Sequence, residues 1–445
     1  VAAASSEQPA PATLKRPNAR ADIHGVSARH RDQLPVAAAI SRREVMLWSA
    51  LALSTSLALL WGWRWNVALN DYGTEAAPSL TALLHGHIAA FLQSAPSYGA
   101  SLLLRAPFAL PGSLARGSAL LIYRLGALPC LLAIGALGVW LAVGLRRAGG
   151  SLAAAALTVL LCAANPITYR ALATGHPEEL LGAALCVTAV LLAQRGHANL
   201  AALALGLAIA NKQWALLAIG PVLLALPAHR WRTLLVAGAV AVALVAPILL
   251  ASASVSSGSD RLIVSDSGEI FHPWQIFWFL GPRGHWLPAM LGSIPRGFRL
   301  EPAWLGGRAH MLIVWLGLPL TLLAMRRRTR PADALLLFAL LMLMRCWLDP
   351  WDLVYYPLPF IIGLLAWETT VARRLPICAA AATAATWLIF WFLPAHISPD
   401  AQAISFLVPA TVALGVMAAV LYRLRPLRRA ARAAALLSRA PAVPS

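Results

Sequence analysis

The run VMLWSALALSTSLALLWGW, Val45 to Trp63, is followed closely by Asn70-Asp71-Tyr72-Gly73-Thr74-Glu75. The first stretch carries no charged side chain and is long enough to cross a bilayer, which takes about 20 apolar residues in a helix. The second sets two carboxylates one helical turn apart, so that in a helix they share a face. The same sequence of events, an apolar run ending in acids, recurs along the chain. Glu178 and Glu179 open one hydrophobic span, and Asp349 and Asp352 close another. Hydrophobic residues make up 60% of 445 residues and charged residues 12%, against about 25% charged in a soluble domain. Mean hydropathy is +0.70. The expected class is an all-α, polytopic integral membrane protein.

Working outward from Val45, further apolar runs fall near 118–145, 151–168, 179–194, 198–211, 213–228, 233–253, 309–325, 332–348, 353–370, 375–393 and 402–423. That makes about twelve transmembrane helices in a membrane domain over 44–425. The Gly- and Pro-interrupted 198–228 region reads as two short helices or one re-entrant pair. Residues 1–43 are polar, aperiodic and rich in Ala, Pro and Arg, and read as a disordered cytoplasmic tail. Residues 426–445 read as a basic cytoplasmic tail. The first apolar run comes too late for a signal peptide.

Charge supports this topology. With both termini inside, roughly 24 of the 36 basic residues lie in inner loops and tails, the bias that orients membrane proteins. The acids divide the other way, about 6 inside and 11 outside. The net charge of +19 therefore reads as topology signals and contact with anionic membrane lipid. The arginines punctuate apolar runs and do not interleave with aromatics, so no nucleic-acid partner is expected. The five cysteines lack CxxC spacing and read as packing residues. No Walker A, GxGxxG or zinc motif is present, which argues against an ATP-driven pump.

Two outer loops are long. The first, 67–117, holds Asp71, Glu75 and amphipathic stretches that read as helices along the membrane surface; a helix N-cap is the plain alternative for Asp71. The second, 254–308, holds Phe271-His272-Pro273-Trp274-Gln275-Ile276-Phe277-Trp278-Phe279-Leu280-Gly281, with His285, Trp286 and Trp304 beyond. Tryptophans at headgroup level are ordinary anchors, yet indole faces also stack on sugar rings. Three shorter segments end on the same side: Asn165 to Arg170 running on to Glu179, Asn211-Lys212-Gln213-Trp214, and Arg345 to Asp352 followed by Tyr355-Tyr356. Lys212 is the only lysine in the membrane region. A charge there costs several kcal/mol unless it is paired or faces a wet cleft. An acidic partner, Glu178 or Asp349, or an anionic ligand shared with Arg170, is therefore expected.

These segments together resemble the GT-C superfamily of membrane glycosyltransferases, above all the polyprenyl-phosphate-mannose-dependent enzymes of glycosyltransferase family 87. The residues that carry the resemblance are Asp71 just after the first span, with Glu75 one turn on; Gly175-His176-Pro177-Glu178-Glu179 opening a later span; and Lys212 in Ala210-Asn211-Lys212-Gln213-Trp214 one hairpin beyond. The common Gly-Gln-Asn form of the second motif is replaced here. The resemblance covers roughly 45–425 and implies a GT-C-like fold at the cell membrane with its active site on the outer face. It further implies inverting transfer of a hexose, often mannose, from a polyprenyl-phosphate-linked sugar to a lipid, glycan or protein acceptor. Asp71 would be the general base, with Glu75 next. Lys212, Arg170 and His176 would hold the donor phosphate. Glu178, Trp274, Asp349, Asp352 and Tyr355 would shape the sugar and acceptor pocket. No cofactor and no metal site are assigned. A secondary transporter, a lipid-glycan flippase or polymerase, and an envelope scaffold are the alternative classes.

Overall fold

A computed structural model describes residues 40–68, 70–253, 271–283, 297–302, 304–305, 308–327 and 329–423. The expected tails, save residues 40–43, and much of the second long loop, including His285 and Trp286, lie outside them. The described residues are helical, with no strand and one isolated antiparallel bridge between Arg283 and Arg299.

The first helix, α1 (Arg42–Trp61), begins three residues before the expected span. Ser41 accepts the amide of Glu44, half of a capping box. Glu44 in turn binds Arg146 at 2.6 Å. The first outer loop is helical throughout much of its length. A π turn over Tyr72–Ala76 leads into α2 (Ala77–Leu84), α3 (Ile88–Ser94) and α4 (Gly99–Leu114). Next come α5 (Ala119–Arg147), α6 (Leu152–Ala163), α7 (Pro166–Thr174), α8 (Glu178–Gln194) and α9 (Ala198–Asn211). Serines cap α5 and α6, and Asn165 caps α7 with proline at its first position, the preferred chemistry for helix starts. A 3-10 stretch, Gln213–Ala218, leads into α10 (Ile219–Ala225), and α11 (Arg230–Ala253) completes the first half. The rest comprises α12 (Arg308–Arg326), α13 (Ala334–Leu348), α14 (Leu358–Trp367), α15 (Ile377–Trp387) and α16 (Pro399–Tyr422).

Among the described residues, eight helical segments are long and apolar enough to cross a membrane: Arg42–Trp61, Ala119–Arg147, Leu152–Thr174, Arg230–Ala251, Arg308–Arg326, Pro331–Leu348, Ile377–Ala395 and Pro399–Tyr422. The segments Ala198–Asn211, Gln213–Ala225 and Leu358–Ala372 are apolar but shorter. The 198–228 region is thus two short helices joined at Lys212, whose backbone is extended.

The helices sort by burial. α13 lies at the centre, its span 83% buried, while that of α11 is 17% buried. α8 packs between α5, α9 and α14, and α13 lies against α14 and α16. α1, α11, α12 and α16 show large apolar side chains outward, as lipid-facing helices do. Four cysteines are buried, but Cys378 is exposed beside Arg374. Packing therefore does not account for all five.

Candidate active site

α7 stops where it does because of Gly175. This residue has φ +100, a left-handed conformation that glycine adopts without steric cost, and His176 N–H closes the end on Ala171 O at 2.7 Å. A Cβ at Gly175 would lie 2.4 Å from the Tyr72 amide nitrogen. The missing side chain is what lets the Asp71 segment seat on the end of α7. Asn70 secures it by donating from Nδ2 to Ala173 O at 3.1 Å. Tyr72 packs at a tilt against Tyr123, ring centroids 4.6 Å apart, and Tyr123 donates to Leu172 O.

The result is a relay of carboxylate, imidazole and carboxylate. His176 Nε2 lies 2.9 Å from Asp71 Oδ2, and Nδ1 lies 2.7 Å from Glu178 Oε1. Burial alone would push the imidazolium down, but Glu178 and Asp71 outweigh it and lift His176 to about 9. At neutral pH the ring is charged and donates to both acids. Glu178 is fully buried and receives two further cations, Arg105 at 3.2 Å and Lys212 at 3.1 Å. Lys212 also approaches Glu179 at 3.4 Å. Burial opposes its charge, yet these two acids hold its pKa above the ordinary lysine value. Glu178 and Glu179 occupy the first turn of α8, where negative charge suits the helix dipole. Asn211 Nδ2 donates to Glu178 O at 2.8 Å and ties α9 to the same turn.

Exposure runs in one direction through this network. The side chain of Asp71 is 45% exposed, that of Lys212 15%, and that of Glu178 not at all. Asp71 is thus a carboxylate held at one oxygen and open to solvent, backed by a buried, charge-compensated core. Glu75 accepts from Tyr98 Oη at 2.6 Å. The Tyr98 ring lies 4.4 Å from Lys212 Nζ and 5.8 Å from the His176 ring, so Glu75 joins through Tyr98. The Tyr355 ring lies 4.8 Å from His176 on another side.

A second polar group adjoins through the tyrosines. Tyr355 packs on Tyr356, and the Arg345 guanidinium lies 4.3 Å from the Tyr356 ring. Arg345 reaches Asp349 at 3.9 Å, and His310 reaches Asp349 at 3.4 Å. Burial would raise Asp349, but His310 and Arg345 hold it below the usual carboxylate range. Asp352 is different. Burial, then Asp349, push it well above that range, and neither carboxyl oxygen has a hydrogen-bond partner. The Phe271–Gly281 segment straps over this turn, with His272 N–H on Pro350 O and Ile276 N–H on Trp347 O. Trp274 stacks on His272 and meets Phe390 at 4.5 Å. Burial pushes His272 down to about 4, so it is neutral.

Of the residues expected from sequence, Asp71, Glu75, His176, Glu178, Lys212 and Tyr355 converge. Trp274, Asp349 and Asp352 form the neighbouring group. Arg170 stands apart from them, on the Trp391 ring at 4.0 Å. Arg105, Tyr98, Asn211 and Arg345 belong to the network without having been singled out. The signal for Arg345 was present, a cation inside the apolar run Ala334–Leu348. Among the described residues no three His, Cys, Asp or Glu side chains are placed to hold a metal ion. The chain matches no protein-family model, no curated protein and no solved structure.

Proposed function

We propose that the chain is a membrane glycosyltransferase that moves a hexose, mannose first among them, from a polyprenyl-phosphate-linked donor to a lipid, glycan or protein acceptor. In this reading the chain crosses the cell membrane about twelve times in a GT-C-like fold. Both termini are cytoplasmic, and Asp71 faces outward. The observation that carries the reading is the Asp71–His176–Glu178 relay, an exposed carboxylate fixed on a buried, charged scaffold at the end of helices of membrane-spanning character.

An acceptor hydroxyl is a poor nucleophile until a base takes its proton. Asp71 takes it as the acceptor oxygen bonds to the anomeric carbon and the bond from that carbon to the phosphate oxygen breaks. The anomeric centre inverts. The electron pair leaves on the polyprenyl phosphate, which needs no general acid. His176 fixes the base by donating to Oδ2 and, with Lys212, offers positive charge to the leaving phosphate. Trp274 and the acids Asp349 and Asp352 supply a stacking face and hydrogen-bonding groups for sugar hydroxyls. The lipid tail of the donor explains why such a site belongs at the membrane edge.

The test is transfer of radiolabelled mannose from polyprenyl-phosphate-mannose, followed by a panel of other polyprenyl-phosphate sugars, in membranes expressing the chain and in vector controls. Incorporation above control with one donor is the expected result. Incorporation equal to control across the whole panel with endogenous and added acceptors would count against the proposal.

A further inference from the structure

At the far end of α8 from the relay, an open pocket of about 370 Å³ lies between the turns that start α9 and α11. α8 is 17 residues long, so at 1.5 Å per residue the two places are separated by about 25 Å. The pocket is lined by His197, Asn199, His229 and Arg232, with Gly196 and Leu200. Two helix N-termini open onto it, and the first-turn amides of a helix have no acceptor within the helix. His197 caps α9 without a side-chain hydrogen bond to it. None of the lining side chains is acidic. Helix N-termini, a guanidinium, two imidazoles and an amide suit a phosphate oxyanion.

The surroundings specify the source of that phosphate. Trp231, between His229 and Arg232, is 77% exposed, and Leu200 and Leu203 of α9 and Leu235 of α11 are exposed as well. An outward tryptophan next to apolar residues on a membrane-length helix is placed at headgroup level. We infer that this pocket binds the phosphate of an anionic phospholipid, whose acyl chains run along the exposed faces of α9 and α11. The site is separate from the Asp71 relay and holds whether or not the chain is a transferase.

Native mass spectrometry of the full chain in neutral detergent tests this, with phosphatidylglycerol, phosphatidylcholine and inorganic phosphate as probes. Phosphatidylglycerol should bind tightly and phosphatidylcholine weakly. Arg232→Ala should weaken phosphatidylglycerol about tenfold, Arg232→Ala with His197→Ala should do so further, and Arg147→Ala should leave it unchanged. Melting in lipid-free detergent checks folding, and Arg232→Gln, which keeps the length of the side chain, serves if the alanine variant is unstable. Equal binding of the two lipids, or an Arg232/His197 double variant as tight as Arg147→Ala, would overturn the inference. Inorganic phosphate binding as tightly as the lipid would overturn the assignment to a lipid.

Discussion

His176 is the hinge of the charge arrangement, because it touches one exposed and one buried carboxylate and is raised to about 9 by them. A histidine raised from 6.5 stabilises the fold fully below about pH 6.5, and that stabilisation is lost as pH rises through about 9. Its limit is about 3 kcal/mol. Thermal midpoints in detergent should therefore fall between pH 6.5 and 9, and His176→Gln should flatten that fall; an equally steep profile in the variant would place the titration elsewhere. Glu178 carries a different load. Removing it takes the carboxylate from the buried Arg105 and leaves His176 with Asp71 alone and Lys212 with Glu179 alone, and breaking a buried ion pair costs about 3–5 kcal/mol. Glu178→Ala should lower the midpoint far more than Glu75→Ala, whose partner is only the Tyr98 hydroxyl, and equal midpoints would deny Glu178 this role. The pairing of Lys212 with an acid was legible in the sequence, since a lone lysine among apolar residues demands a counter-charge. The Arg105 contact was not. Arg105 sits in an interrupted amphipathic stretch, where an arginine reads as an interfacial residue until the packing of α4 on α5 turns it inward.

At the scale of elements, the site depends on the close approach between the π turn after α1 and the end of α7. Gly175→Ala would meet the Tyr72 backbone and strain a left-handed residue, costing about 1–3 kcal/mol and displacing Asp71. Gly86 also has positive φ, at 76°, but nothing lies within 4 Å of its missing side chain. Gly86→Ala should thus retain activity while Gly175→Ala loses most of it in a labelled-sugar assay, at matched expression. Similar activities in the two would remove the close approach from the account. Elements with strong apolar runs, such as Val45–Trp63 and the 118–145 run, were placed from the sequence to within a few residues. The junction at Lys212 reads from sequence as two short helices or a re-entrant pair, because hydropathy does not report where a backbone turns extended. The strap over Pro350 was hidden for another reason. Backbone bonds between segments distant in the chain leave no periodic trace.

At the scale of the whole molecule, the proposed topology, argued from charge bias, has the Asp71 relay outside and the pocket at His197 inside. In a chain carrying Cys378→Ser, Thr74→Cys should react with a membrane-impermeant maleimide on intact cells, and Asn199→Cys only after permeabilisation. The opposite pattern would invert the topology and the side of the proposed chemistry. The central claim is that Asp71 is the base of a sugar transfer, and the most direct measurement compares wild type with Asp71→Asn for transfer of labelled sugar from polyprenyl-phosphate donor, at equal membrane levels of protein. The account predicts a loss of about 100-fold or more with membrane insertion unchanged. Equal transfer by the two proteins would contradict it.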